Sequence, residues 1–75
     1  MKKSRILHIQ DRSGDTQYDL DTQTDLAIEF FQKAIDNGSL AYAYYEDEKT
    51  AVAIREANEL DTALKVVVTP RQVGG

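Results

Sequence analysis

The side chains of this chain that could do chemistry are few. The one histidine, His8, lies among Ile6, Leu7 and Ile9. With no nucleophile near it in sequence, it reads as a packed or surface histidine rather than a general base. Ser4, Ser13 and Ser39 lack the Gly-x-Ser-x-Gly pattern of a nucleophile elbow, and no glycine-rich phosphate loop occurs. The absence of cysteine removes disulfides, thiolate nucleophiles and cysteine-held zinc or iron–sulfur centres. Glu46, Asp47 and Glu48 lack the spaced oxygen ligands and glycine of a calcium loop, so they read as a solvated turn. Asp19, Asp21 and Asp25 sit where a helix start favours negative charge. The expectation is a non-enzymatic chain with no catalytic residues, no metal site and no cofactor of its own.

The elements that would carry these residues follow from periodicity and punctuation. A chain of 75 residues allows one core and buries only about 60% of its unfolded surface. Hydrophobic residues at 41% and charged residues at 29% are ordinary for a folded domain. A first strand is expected over Arg5–Gln10, a turn over Asp11–Asp15 with Gly14 supplying a positive φ, and a returning strand over Thr16–Leu20. Leu26, Ala27, Phe30, Phe31, Ala34 and Ile35 recur along one face of a 3.6-residue period and predict an amphipathic helix. Thr22 with Asp25 resembles its capping box, and Asn37-Gly38 its end.

Leu40–Tyr45 and Thr50–Arg55 then read as a second hairpin about the turn Glu46–Lys49. Periodicity leaves open whether Leu40, Tyr42 and Tyr44 or Ala41, Ala43 and Tyr45 face the helix. Glu56–Ala63 is polar and irregular apart from Leu60, a plug for the core. Leu64–Thr69 has high β propensity and predicts a last strand buried on at least one face. Pro70 stops it for want of an N–H donor, leaving 70–75 as a mobile tail after a single domain over 1–69.

Charge narrows the partners. A net charge of -4, with basic residues scattered except at Lys2, Lys3 and Arg5, argues against nucleic acid and anionic membranes, which require a concentrated positive face. The apolar run Ile6–Ile9 is too short for a signal-peptide core or a membrane span, so the expected location is the cytoplasm. Tyr42, Tyr44 and Tyr45 are candidates for a partner surface.

The order of elements, with the ending Val68, Thr69, Pro70, Arg71, Gln72, Val73, Gly74, Gly75, resembles the β-grasp family of ubiquitin-like modifiers and MoaD- and ThiS-like sulfur carriers. Pro70, Gly74 and Gly75 occupy the places of the proline and diglycine in such carrier tails. Arg71 stands where a second proline is common and resembles ubiquitin at least as much, and Val73 replaces a smaller residue. The resemblance implies an α+β fold of the order β-β-α-β-β-β, with one helix packed on a mixed sheet. It also implies a function: a modifier or sulfur carrier whose Gly75 carboxylate is adenylated by a partner enzyme using ATP. Glycines without Cβ can thread a narrow enzyme channel to the nucleotide. Pro70, Arg71 and Val73 would be the tail-recognition residues, and an adenylating enzyme, a conjugating enzyme or a protease the partners. The other function class is a non-catalytic interaction module, an adaptor, inhibitor or assembly subunit, that binds through its sheet face or edge.

Overall fold

The computed structural model describes residues 5–11, 14–47 and 49–70. In chain order it has β1 (Ile6–Asp11), β2 (Gly14–Asp19), α1 (Thr24–Asp36), β3 (Leu40–Tyr44), β4 (Ala51–Ile54), a 3₁₀ turn (Ala57–Leu60) and β5 (Lys65–Thr69). The strands form one sheet in the order β2-β1-β5-β3-β4. The two hairpins are antiparallel, β5 runs antiparallel to β3, and β1 and β5 are parallel in the register Ile6↔Lys65 to Ile9↔Val68. The chain is therefore an α+β unit with one helix packed on a mixed five-stranded sheet. Each hairpin is local in sequence, and the last strand joins the two.

Alternation along the strands sorts the side chains to two faces. Leu7 from β1, Ala41 and Ala43 from β3, Ile54 from β4, and Val66 and Val68 from β5 are buried with Ala27 and Phe31 of α1. The alanine row of β3 thus faces the helix, and the small side chains leave room for the ring of Phe31, which is fully buried. Leu20, Leu60 and Ala63 close the end of this core, so Leu60 plugs it as expected. The segment expected to be irregular is ordered as a 3₁₀ turn. Its Glu56 and Glu59 cap each other's backbone reciprocally, and Tyr45 Oη donates to Glu59 O at 2.8 Å.

Three further details differ from the sequence reading. The strands of the first hairpin extend to Asp11 and Gly14, narrowing the expected loop, with Gly14 at φ 136° as the turn requires. The helix begins at Thr24, not behind a Thr22 cap, and no side chain caps it. Asp19 organises the approach instead: its Oδ1 accepts from the N–H groups of Asp21 and Thr22 at 2.8 and 3.0 Å, and Gln23 Oε1 accepts from Asp19 N–H. Asp19 Oδ1 thus takes the Thr22 N–H that the Asp25 carboxylate would accept in a capping box. Thr24 Oγ1 donates back to Leu20 O at 2.7 Å. The third difference is Leu26, which is 45% exposed because it lies one step around the helix from the buried Ala27–Phe31 line. Phe30 is half-buried and stacks on Tyr18. Gly38, at φ 91°, follows Asn37 at the helix end as expected.

The core assignment is checked by denaturant unfolding. Phe31→Ala should cost about 3–5 kcal/mol, most of the stability of a domain this small. Leu26→Ala should stay within about 1 kcal/mol. Equal losses at the two positions would contradict the orientation of α1.

Candidate docking face and tail root

The face of the sheet opposite α1 is built by the other alternate row. Register places Val67 of β5 between His8 of β1 and Tyr42 of β3, with Ala53 of β4 beyond, so these four cross the sheet side by side. A second row runs Ile6, Lys65, Tyr44 and Ala51. Leu40 stands at the rim, 54% exposed and opposite Thr69. Lys65 Nζ lies 5.7 Å from the centre of the Tyr44 ring, a cation–π contact that leaves the tyrosine edge open. His8 Nδ1 is 3.3 Å from Asp15 Oδ2 across the first hairpin, which gives the histidine a carboxylate partner at the surface.

The three candidate tyrosines therefore do not share a surface. Tyr42 and Tyr44 are half-exposed on the open face, while Tyr45, one residue beyond β3, turns to the helix side and packs against the core. Burial first, and then the nearby charge of Glu59, raise the Tyr45 pKa above the ordinary phenol value of 10.0. Its hydroxyl is thereby held as a neutral donor, a structural use rather than a docking one.

The role of Arg5 escaped the sequence reading, which took it as part of a basic amino-terminal run and as the start of the first strand. Its Nη1 donates to the carbonyls of Leu60, Asp61 and Ala63 at 3.2, 2.7 and 3.0 Å, and its Nε and Nη2 reach Asp21 Oδ1 at 3.0 and 2.8 Å. One guanidinium thus ties the start of β1 to the loop before β5 and to the approach of α1. Asp21 is an ion-pair partner in this arrangement rather than a helix-dipole residue. A cleft of about 520 Å³ between α1 and the 3₁₀ turn includes this engaged pair in its wall. In the acidic turn, Asp47 Oδ1 accepts from the N–H groups of Lys49 and Thr50, which hold its pKa below the ordinary carboxylate value.

The tail begins at Pro70, exposed at the end of β5, the central strand. Arg71, Val73, Gly74 and Gly75 lie outside the described residues. What the geometry offers is an open face with two tyrosines beside a strand that leads directly into a diglycine sequence. No helix among the described residues is long and apolar enough to cross a membrane. Comparison with known proteins returns no matching family model, no matching curated protein and no matching solved structure.

The two kinds of tyrosine separate under mutation. Tyr45→Phe should cost about 1 kcal/mol by removing a part-buried hydrogen bond, and Tyr42→Phe should be near neutral. The sign for pH follows from the raised Tyr45 pKa: the folded state holds the phenol proton more tightly than the unfolded chain. This contribution is complete below pH 10 and is lost as pH rises through the folded value. Urea midpoints from pH 8 to 11 should fall less steeply for Tyr45→Phe than for the parent; identical slopes would contradict the assignment.

Proposed function

We propose that this chain is a ubiquitin-like modifier or sulfur carrier of β-grasp type, activated at the Gly75 carboxylate by a partner enzyme. The observation that carries the reading is the path of the chain. The central strand β5 runs out of the core to Pro70, and the sequence continues Arg71, Gln72, Val73, Gly74, Gly75. One helix laid across a mixed five-stranded sheet is compatible with a β-grasp-like fold. Five residues beyond Pro70 span at most about 17 Å, enough to carry a carboxylate from the domain surface into a narrow site on another protein.

The chemistry is that of an acyl group. A Gly75 carboxylate oxygen attacks the α-phosphorus of ATP, a phosphorus–oxygen bond breaks, and pyrophosphate leaves. The resulting acyl adenylate is then attacked at its carbonyl carbon by a sulfide, thiol or amine, and AMP leaves with the bond electrons. Catalysis belongs to the activating enzyme, followed by a conjugating enzyme or, for trimming and release, a protease. This chain supplies the carboxylate and the docking face of Tyr42, Tyr44 and Leu40, with Pro70, Arg71 and Val73 guiding the tail. Its acidic character fits basic protein surfaces better than nucleic acid or membrane, and an ATP-dependent partner suits the cytoplasm.

A second reading, a non-catalytic interaction module, has its own observation. β4 is an edge strand of Ala51, Val52, Ala53 and Ile54, without a charge or proline, and Val52 is 45% exposed. Such an edge can take up an added strand from a partner.

Complementation separates the two. In cells lacking the gene, a chain without Gly74 and Gly75 should fold, as judged by its amide NMR spectrum, yet fail to rescue the loss. Full rescue by that truncated chain, together with failure of a folded Tyr42→Ala or Val52→Lys variant, would replace the carrier with the interaction module.

A further inference from the structure

The end of α1 carries a chemistry of its own. Asn37 is exposed there and is followed by Gly38. In an Asn-Gly pair the backbone nitrogen after the asparagine can reach the side-chain amide with little hindrance, because glycine has no Cβ to block it. The chain's other asparagine, Asn58, is followed by Glu59, whose side chain obstructs the same approach. The fold places the attacking nitrogen of the Asn37 pair inside a Schellman motif. Gly38 N–H donates to Ile35 O and Ser39 N–H to Ala34 O, both at 2.9 Å, and Asn37 N–H is shared between Lys33 O and Ala34 O at 3.1 and 3.2 Å. Closing a ring requires rotation about the Asn37 Cα–C bond, away from the ψ of 0° it has here, to bring the Gly38 nitrogen under the Asn37 amide carbon. That rotation would break the Gly38 and Ser39 bonds together. The Ile35 carbonyl also holds the proton that the Gly38 nitrogen must lose.

We propose that Asn37 is a self-modification site that the folded helix end keeps shut and that opening of the last turn of α1 releases. In the opened chain, solvent hydroxide takes the Gly38 amide proton and the nitrogen attacks Asn37 Cγ. A carbon–nitrogen bond forms, the Cγ–Nδ2 bond breaks, and Nδ2 leaves as ammonia with a proton from water. Water then opens the cyclic imide at either carbonyl. Attack at the side-chain carbonyl gives aspartate; attack at the main-chain carbonyl gives isoaspartate, whose backbone runs through Cβ and Cγ. The longer backbone of isoaspartate displaces Gly38 and Ser39 from their partners Ile35 and Ala34. Either product also adds a carboxylate beside Asp36 at the negative end of the helix dipole, where it is unfavourable. Both effects keep the turn open once it has reacted, so the chain records its own opening irreversibly. Asn37 and Ser39 line one cleft with Pro70, which brings the change beside the end of β5. The inference stands on the helix end alone and goes beyond the carrier reading.

The test incubates the purified full chain at neutral pH, folded and in guanidinium chloride, and follows the amide-to-acid mass change at Asn37 by peptide mass spectrometry. The folded chain should convert at least about tenfold more slowly than the denatured one, because only the opened fraction reacts. Lys33 is exposed in the last turn of α1 and lies outside the reacting pair. Lys33→Gly should therefore speed conversion of the folded chain about threefold by weakening that turn, with the denatured rate unchanged. Asn37→Gln should abolish the product in both states. Equal rates in the folded and denatured parent would overturn the proposal, as would a denatured chain that stays unmodified at Asn37. A folded Lys33→Gly chain that converts no faster than the parent would also overturn it, since the opening would then not be that of the last turn.

Discussion

The pairing of β5 between β1 and β3 is the constraint on which the rest of this fold depends. The first and second hairpins touch no common strand except β5, so without it the sheet is two separate ribbons, each too small to be stable alone. β5 also supplies Val66 and Val68 to the floor beneath α1, so its insertion completes the sheet and the core together. Closing that long loop carries an entropic cost that no local hairpin bears. The Arg5 clamp acts on the same junction, fastening the start of β1 to carbonyls at least 55 residues away, just before β5 begins. The tail is thereby rooted in the most interdependent strand of the domain. A force or a partner acting on it is met by the whole sheet rather than by a fraying end.

The same pairing divides the molecule into a closed face and an open one. Under α1 the strands present alanine and valine, which let the ring of Phe31 approach the sheet closely. On the far side the same strands present Tyr42, Tyr44, Val67 and Leu40, large enough to anchor a partner and bounded by Lys65 and His8. Aromatic side chains on a rigid sheet lose little entropy when a partner covers them, which suits them to recognition. Tail and face belong to one strand-and-neighbour unit, so a partner holding the face would have the tail root at a fixed distance.

Much of this architecture was legible in the sequence where the signal is local. The 3.6-residue spacing through Phe31, the Asn37-Gly38 end, the two hairpins, Leu60 as a plug and the stop at Pro70 all follow from neighbouring residues. What escaped depends on contacts between distant segments. Nothing near Arg5 announces three carbonyls from the loop before β5, and a strand of alternating alanine and tyrosine satisfies either orientation until the bulk of Phe31 decides it. The separation of Tyr45 from Tyr42 and Tyr44 follows from that same choice of face. The Thr22 cap failed for a local reason, because Asp19, three residues upstream, holds the Thr22 N–H in a turn before the helix begins. Asp19 and Asp21 were visible as acids near a helix start, but their division between a turn and an ion pair required the position of Arg5. The parallel pairing of β1 with β5 has no mark in strand composition; resemblance to a family implied a mixed sheet but not which strands run parallel. The reading of the tail likewise rests on Pro70, Gly74 and Gly75 in sequence.

The central claim is that the working group of this chain is its terminal carboxylate, and intact-protein mass spectrometry of the native chain from its own cells tests it most directly. The account predicts either a thiocarboxylate at Gly75 or a Gly-Gly remnant of this chain on lysines of other proteins. Recovery of the free, unmodified chain alone, across the growth conditions in which it is made, would contradict the account.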